Sequence, residues 1–239
     1  MRKFLVGMLA LIAGLPWGLA QEGGSPNEAI VIPRTEQEIH GFTIRVDNQL
    51  LSGDHETLGK NALDLLRADL TRIRLVVPER VVKIWQKYPI VIDFDHPLTK
   101  NMQYHPSQSW LVNNGYEASL AKCVHVASAK RYYNADHYFV QPSVLFHELA
   151  HAYHDQELGF ENPKIAKAFA RAQLQGQYKQ VLHVKGHTTQ HYALTNPKEY
   201  FAEGTEAWFG TNDFYPYVRS ELKEHDPRLF ELLKEFYAP

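Results

Sequence analysis

The sequence has almost no cysteine, little net charge and, after its first residues, no apolar run of membrane length. It contains 239 residues and a single cysteine, so no disulfide can form within the chain. The segment around it, Ala121-Lys122-Cys123-Val124, is typical of a strand, which predicts that Cys123 is a small buried residue. The formal net charge of −2 gives no reason to expect nucleic acid or an anionic membrane surface as a partner. The fold must therefore be held by its core and by any metal it binds.

The first twenty residues have the pattern of a signal peptide. Two basic residues precede a short apolar run that ends at Pro16, and small residues up to Ala20 suit cleavage. An uncleaved membrane anchor is the alternative, although the run is short for a span. We therefore expect an exported protein, secreted or periplasmic. Residues 1–20 would be removed, residues 21–34 would form a flexible leader, and the cleaved chain would not attach to the membrane.

Residues 35–239 are expected to form one catalytic domain of the α+β class, with two lobes of which the second begins near residue 118. Asp93-Phe94-Asp95-His96 is expected to be a polar turn at the end of a strand. Apolar periodicity and helix-start signals predict the individual elements. The predicted strands are 42–51, 89–94 and 120–129, with a hairpin within 181–193; the predicted helices are 61–75, 78–85, 142–157, 162–177, 196–209 and one that opens at Asp226-Pro227.

The clearest chemical signal is the HExxH motif of residues 147–151. On a helix, residues four apart lie on one face, so the imidazoles of His147 and His151 can bind the same metal. Glu148 lies beside them, where its carboxylate can take a proton from a water that zinc activates. We predict that both histidines bind one Zn²⁺ and that Glu148 is the general base. The alternative is a buried helix with two ordinary histidines.

The residues after His151 exclude one known source of a third ligand. The long metzincin motif has glycine three residues and histidine six residues after the second motif histidine. Here those positions hold His154 and Glu157. A single straight helix rarely supplies three ligands to one metal. We therefore expect His154 at the surface or beside a ligand rather than on the metal.

A better source of the third ligand is the helix predicted over 196–209. Glu199, Glu203 and Glu206 fall on one stripe of this helix, among aromatic residues that favour burial. Carboxylates so placed repel one another unless something positive lies opposite, and zinc with its histidines would supply that charge. A solvated acidic face is the alternative.

The spacing of these residues resembles that of a known family. The HExxH motif, then Tyr192, then Glu199 seven residues later and Glu203 four beyond it, is similar to the catalytic domain of anthrax lethal factor and the related pro-pro endopeptidases. The resemblance covers only the chain from about residue 118 onward and consists of motifs alone. It implies a zincin-like α+β fold, in which a small mixed sheet flanks the HExxH helix.

The resemblance also implies a role for each matching residue. Tyr192 would stabilise the oxyanion, Glu199 would be the third zinc ligand, and Glu203 would hold a zinc-binding histidine in place. These roles are chemically reasonable, because an acceptor carboxylate fixes the tautomer of a ligand histidine and a tyrosine hydroxyl can bind a developing negative charge. Two alternatives for the tyrosine stay open: an ordinary strand aromatic, and the neighbouring His191 in its place.

These features predict a zinc-dependent metallohydrolase with one Zn²⁺ per chain. A peptidase that acts on a peptide or protein substrate fits best, since an edge strand beside the cleft can pair with an extended peptide. One alternative is a non-catalytic, zinc-stabilised binding protein, although such a site has no use for Glu148. The other is a zinc hydrolase of a non-protein amide such as a cell-wall peptide cross-link.

Overall fold

A computed structural model describes residues 30–238 of the chain. The expected signal peptide and most of the expected leader lie outside the described residues. Among residues 30–238, no helix is both long enough and apolar enough to cross a membrane.

The end of the expected leader belongs to the domain, so the predicted boundary was placed too late. The first strand begins at Arg34, and Ile30 forms an isolated bridge with Tyr116. The Arg34 guanidinium is buried, where it donates to both oxygens of Asp93 and also pairs with Glu117. A buried arginine needs such partners. This segment is therefore fixed by ion pairs that polar composition alone did not predict.

One layer of the domain is a five-stranded mixed sheet. Its strands are β1 (Arg34–Ile39), β2 (Phe42–Asp47), β3 (Ile90–Ile92), β4 (Met102–Tyr104) and β5 (Val124–Val126). Their spatial order is β1-β2-β3-β5-β4, in which β2, β3 and β5 are parallel to one another while β1 and β4 are antiparallel to their neighbours. A separate two-stranded hairpin consists of β6 (Val181–Leu182) and β7 (Thr188–Thr189).

Helices form most of the other regular structure in the described chain, which confirms the α+β class. They are α1 (Glu56–Val76), α2 (Glu79–Trp85), α3 (Gln108–Asn113), α4 (Ala129–Tyr132), α5 (Ala135–Val140), α6 (Val144–Tyr153), α7 (Pro163–Gln175), α8 (Pro197–Phe209), α9 (Arg219–His225) and α10 (Pro227–Phe236). As the sequence predicts, α7, α8 and α10 begin at a proline. Asn162, Asn196 and Asp226 cap these helices by accepting hydrogen bonds from backbone N–H groups.

Several predictions of local structure differ from the observed elements. The strand expected over 120–129 shrinks to β5, because residues 118–120 form a short 3₁₀ turn. Tyr192 lies in another such turn, Tyr192–Leu194, and not on a strand. The helix expected from residue 142 begins at Val144 and continues beyond Tyr153 as a π-helical turn, His154–Leu158, which ends at Gly159 with φ 76°.

Alternation along the strands divides the sheet into two faces. One face, with Ile90, Ile92 and Val124, packs on the main core that α1, α6 and α8 complete. The opposite face carries Val91 and a smaller apolar cluster that includes Cys123, which is buried as predicted.

The second face also holds a chain of buried polar groups, where a polar turn was expected. Besides Arg34, Asp93 accepts a hydrogen bond from His125 (2.8 Å), and the other ring nitrogen of His125 lies 3.0 Å from His105. Burial raises the pKa of the Asp93 carboxyl, but the bonds from His125 and Arg34 outweigh it and leave that pKa lowered. His105 directly follows β4, so this network ties the edge strand to the sheet centre.

Gly204 marks the close approach of α8 and α10. A Cβ at this position would meet Leu229 Cδ2 at 2.6 Å and Leu233 Cδ1 at 3.2 Å. Gly204→Ala should therefore lower the free energy of unfolding by about 1–2 kcal/mol, since overpacking exceeds the gain in helix propensity. Urea denaturation measures this. Leu229→Ala should cost less in the Gly204→Ala background than alone, and equal costs in both backgrounds would contradict the steric explanation.

Candidate metal centre

Two facing helices carry the candidate metal ligands. α6 supplies His147 and His151, and α8, which packs directly against it, supplies Glu199 from its first turn. Leu149 and Ala150 are fully buried and fix the helix α6 to the core, while the histidines stay about one-tenth exposed at its surface. Residues on one face of α6 therefore pack in the core, while the candidate ligands lie on another face of the same helix.

Three potential ligand atoms converge at this point. His147 Nε2 and His151 Nε2 are 3.0 Å apart, and Glu199 Oε2 lies 3.0 Å from the first and 3.2 Å from the second. Zinc bonds of about 2.0–2.1 Å in a tetrahedral site would separate ligand atoms by roughly 3.3 Å. The triangle is within a few tenths of an ångström of that size, and its donor set of two imidazoles and one carboxylate suits zinc.

The outer nitrogen of His147 bonds a carboxylate, but not the one predicted. Its Nδ1 lies 2.7 Å from Glu206 Oε1 and 3.6 Å from Glu203 Oε1. Glu203 instead accepts a hydrogen bond from Asn212 Nδ2 at 2.8 Å, which holds its carboxylate aside. Glu206 therefore occupies the place that the resemblance gave to Glu203, and would fix the tautomer that leaves Nε2 free for a metal.

The carboxylates around His147 are crowded and buried. Burial and the charge of Glu206 raise the pKa of Glu203 well above its usual range and that of Asp213 to about 7. Burial also raises the pKa of Glu199, but hydrogen bonds with both histidines outweigh this effect and hold it well below the usual range. A concentration of negative charge in a buried site is costly, and a bound cation would offset that cost.

Glu148 lies beside the triangle of ligand atoms and is held by the edge of the sheet. Its side chain is buried, and its Oε2 accepts a hydrogen bond of 2.7 Å from the backbone N–H of Tyr104 on β4. Burial raises the pKa of the Glu148 carboxyl. The Tyr104 hydroxyl in turn donates to Asp155 (2.6 Å), just beyond α6. Tyr104 therefore joins the edge strand to the motif helix at two points.

Tyr192 lies near the candidate ligands, whereas His191 faces away. The Tyr192 ring is 6.5 Å from that of His147, and its side chain is 48% exposed. Partial burial and the charge of Glu199 raise the pKa of Tyr192 to about 12, so its hydroxyl keeps its proton at neutral pH. His191 is buried, accepts a hydrogen bond from the N–H of Ala193 and points towards Glu203. Of these two neighbours, only the tyrosine is exposed to solvent.

His154 does not lie at the surface, so that half of the expectation was wrong, and it is not among the converging ligand atoms of the described residues. Its side chain is fully buried, and its ring packs against Phe160 and Phe201 about 5 Å away. Burial and the nearby His151 lower its pKa to about 4, which keeps it neutral. The His154 ring therefore belongs to the aromatic core.

The structure brings most of the residues chosen from the sequence to one place: His147, Glu148, His151, Tyr192, Glu199 and Glu203. Sequence reasoning missed Tyr104 and Asn212, which reach the site from short elements without a motif, and gave Glu206 no definite role. No protein-family model, curated protein or solved structure matches the chain.

Proposed function

We propose that this protein is a single-zinc metallohydrolase that cleaves peptide bonds. The observation that carries the proposal is the ligand triangle of His147, His151 and Glu199, with Glu148 beside it and outside the ligand set. A site that served only for stability would gain nothing from a buried carboxylate at that position, because burying it costs free energy. Such a carboxylate is the group that hydrolysis requires as a base.

Each side chain has a distinct task under this proposal. His147, His151 and Glu199 would hold the metal, which supplies a Lewis acid and lowers the pKa of water towards about 7. Glu148 accepts a proton from the attacking water and later delivers it to the leaving amine, and the Tyr104 N–H fixes the orientation of its carboxylate. Glu206 holds the ring of His147 through Nδ1. Tyr192 donates a hydrogen bond to the oxyanion of the substrate.

The position of β4 supports a peptide as substrate. β4 is the edge strand of the sheet, paired only with β5 among the described residues, and Tyr104 brings its outer side next to Glu148. An extended peptide alongside such an edge can pair with its backbone and pass close to the metal. Because the first twenty residues resemble a signal peptide, we propose that this cleavage occurs outside the cytoplasm.

Cleavage of a peptide library with and without chelator tests the proposal. We expect fragments from the protein loaded with one Zn²⁺ per chain, none after chelation, and recovery when zinc is restored. Zinc binding without any cleavage would favour the binding-protein alternative. Cleavage confined to cell-wall cross-links would favour the hydrolase of a non-protein amide.

Tyr192→Phe should lower kcat by roughly 10²–10³-fold with little change in KM, because the lost hydrogen bond forms only in the transition state. Steady-state kinetics on a cleaved peptide measures both constants. Tyr133→Phe is a matched control, since Tyr133 is 47% exposed, follows α4 and is not part of the candidate metal centre. If kcat in Tyr192→Phe equals that of the control, Tyr192 is an ordinary surface aromatic.

Tyr104→Phe should lower kcat by about 10-fold, because small displacements of a catalytic group have large effects on rate. The substitution removes the bond to Asp155 but keeps the backbone N–H that contacts Glu148. Tyr88→Phe is the control, since the Tyr88 hydroxyl makes only a long contact of 3.5 Å with Glu157. Kinetics and zinc analysis together check this. An unchanged kcat would mean that the backbone contact needs no support from the side chain.

A further inference from the structure

A polar cleft of about 520 Å³ lies at the ends of the parallel strands β3 and β5. It is lined by Ser128, shortly after β5, by Asp95, shortly after β3, and by residues of α4 and α5. The carboxyl ends of parallel strands are where ligands commonly bind in sheets that helices cover. None of the residues of the candidate metal centre lines this cleft.

The cleft carries more positive than negative charge. Lys100 pairs with Asp95 at 2.9 Å and donates to the carbonyl of His96 at 2.8 Å, so both charges of that pair are satisfied. Lys130 and Arg131 also line the cleft, and neither forms an ion pair within the part of the chain that the structure describes. These two side chains supply an unbalanced charge of about +2 at neutral pH.

Neutral polar groups beside these cations can complete a carboxylate site. Asn134 and His137 line the same wall of the cleft, from the start of α5. Burial, and then the nearby charges of Arg131 and Lys185, lower the pKa of His137, so its ring is neutral at pH 7. The cleft thus offers one planar guanidinium, one ammonium and further donors, a combination that binds carboxylates well.

The cleft lies along the direction of the edge strand β4, beyond the point where this strand contacts Glu148. Tyr104 contacts Glu148, and β4 runs back from it through Met102 to Lys100 at the rim of the cleft. Four residues of extended chain span at most about 14 Å. Consider a peptide that runs antiparallel to β4 with its scissile bond near Glu148. Within about four residues on the C-terminal side of that bond, the peptide would reach the cleft.

We propose that this cleft binds a carboxylate of the peptide substrate on the C-terminal side of the scissile bond, so that the enzyme prefers acidic substrates. The inference rests on the proposed function for its geometry along β4, but the binding itself needs no catalysis. The carboxylate belongs either to an acidic side chain or to the free end of the peptide. Both would pair with Arg131 in the bidentate way that a guanidinium favours.

Binding by a protein that cannot turn over separates this inference from the proposed function. Two pools of fluorescent random octapeptides, identical except for one fixed Glu or Gln, are titrated against zinc-loaded Glu148→Gln at low salt. We expect the Glu pool to bind at least 10-fold more tightly. In Lys130→Gln/Arg131→Gln that advantage should fall to about 2-fold or less, as expected for loss of a charge-assisted contact. The control Lys167→Gln/Arg171→Gln removes the same charges from α7, outside the cleft.

The outcomes are distinguishable. Equal binding of both pools that amidation of the peptide ends does not weaken contradicts the cleft as a carboxylate site, and so does an advantage that the control variant loses equally. Active protein that cleaves both pools at equal rates, with amidated and with free ends alike, also contradicts it and leaves the proposed function intact. Preferential binding of the Glu pool without any cleavage by the active protein supports the cleft and contradicts the proposed function. Amidation of the peptide ends assigns the bound carboxylate to a side chain or to the chain terminus.

Discussion

Replacement of Glu148 by glutamine should abolish peptide cleavage, lowering kcat by roughly 10²–10⁴-fold, while the protein keeps its fold and one bound zinc. The two side chains have nearly the same shape, and the amide oxygen of glutamine can still accept the 2.7 Å hydrogen bond from the Tyr104 N–H. Only the ability to take a proton is lost. A decrease in kcat at constant zinc content would therefore measure proton transfer alone.

The environment of Glu148 explains why the effect should be large. The carboxylate is buried, and burial raises its pKa, which makes it a stronger base than an exposed glutamate. Among residues 30–238, no other carboxylate lies beside the ligand triangle without a histidine partner, because Glu199 and Glu206 both bond His147. A substitute for the base is thus absent from the described residues around the site.

Three measurements distinguish loss of the base from loss of the site. Zinc content by elemental analysis and thermal stability should both stay near the values of the unsubstituted protein. Glu157→Gln, a few residues further along the same helical segment and exposed, is a matched control that should retain full activity. If Glu148→Gln keeps more than half of the activity, another group is the base and the assignment of Glu148 is wrong.

Much of this site was predictable because it depends on local rules. The Asn-Pro starts of α7 and α8 define where those helices begin, and helical spacing within α6 brings His147 and His151 to one face. The choice of Glu199 as a partner rested on a motif spacing, and the structure places its carboxylate at the same point. Regular helices convert sequence spacing directly into spatial proximity, so such predictions need no knowledge of the tertiary fold.

The parts that sequence could not provide depend on contacts between distant segments. β4 has only three residues and no alternating pattern, yet its residue Tyr104 holds Glu148, 44 positions away. Similarly, Glu203 and Glu206 lie on one helical stripe, so spacing alone does not decide which bonds His147. Asn212, from the segment after α8, decides it by binding Glu203. Non-local hydrogen bonds of this kind are invisible to periodicity.

The second large effect concerns the third metal ligand. Glu199→Ala should abolish stoichiometric zinc binding and, with it, all peptide cleavage. The substitution removes one of the three converging ligand atoms, the Glu199 oxygen that lies 3.0–3.2 Å from the two imidazoles. Only His147 and His151 then remain as ligands. Two imidazoles from one helix hold zinc far more weakly than three protein ligands do.

The neighbouring carboxylates provide the matched comparison, since all three glutamates lie on α8. Glu206→Ala should keep the metal but weaken its affinity by roughly 10–100-fold, the usual cost of removing an acceptor behind a ligand histidine. Glu203→Ala should change zinc affinity less than Glu206→Ala does, because the Glu203 carboxylate is 3.6 Å from His147 Nδ1 and bonds Asn212 instead. Competition with a fluorescent chelator measures all three affinities under one set of conditions.

The order of these affinities decides between two assignments. We expect Glu199→Ala to bind zinc most weakly, Glu206→Ala to be intermediate and Glu203→Ala to be close to the unsubstituted protein. If Glu203→Ala loses zinc while Glu199→Ala retains it, Glu199 is wrongly assigned as the ligand. The metal then lies deeper, between His147 Nδ1 and the buried carboxylates of Glu203 and Glu206. These three side chains form the second group of closely spaced ligand atoms. That deeper position lies on the far side of the His147 ring from His151. The HExxH motif would then contribute one ligand instead of two, and Glu148 would lose its place as the base.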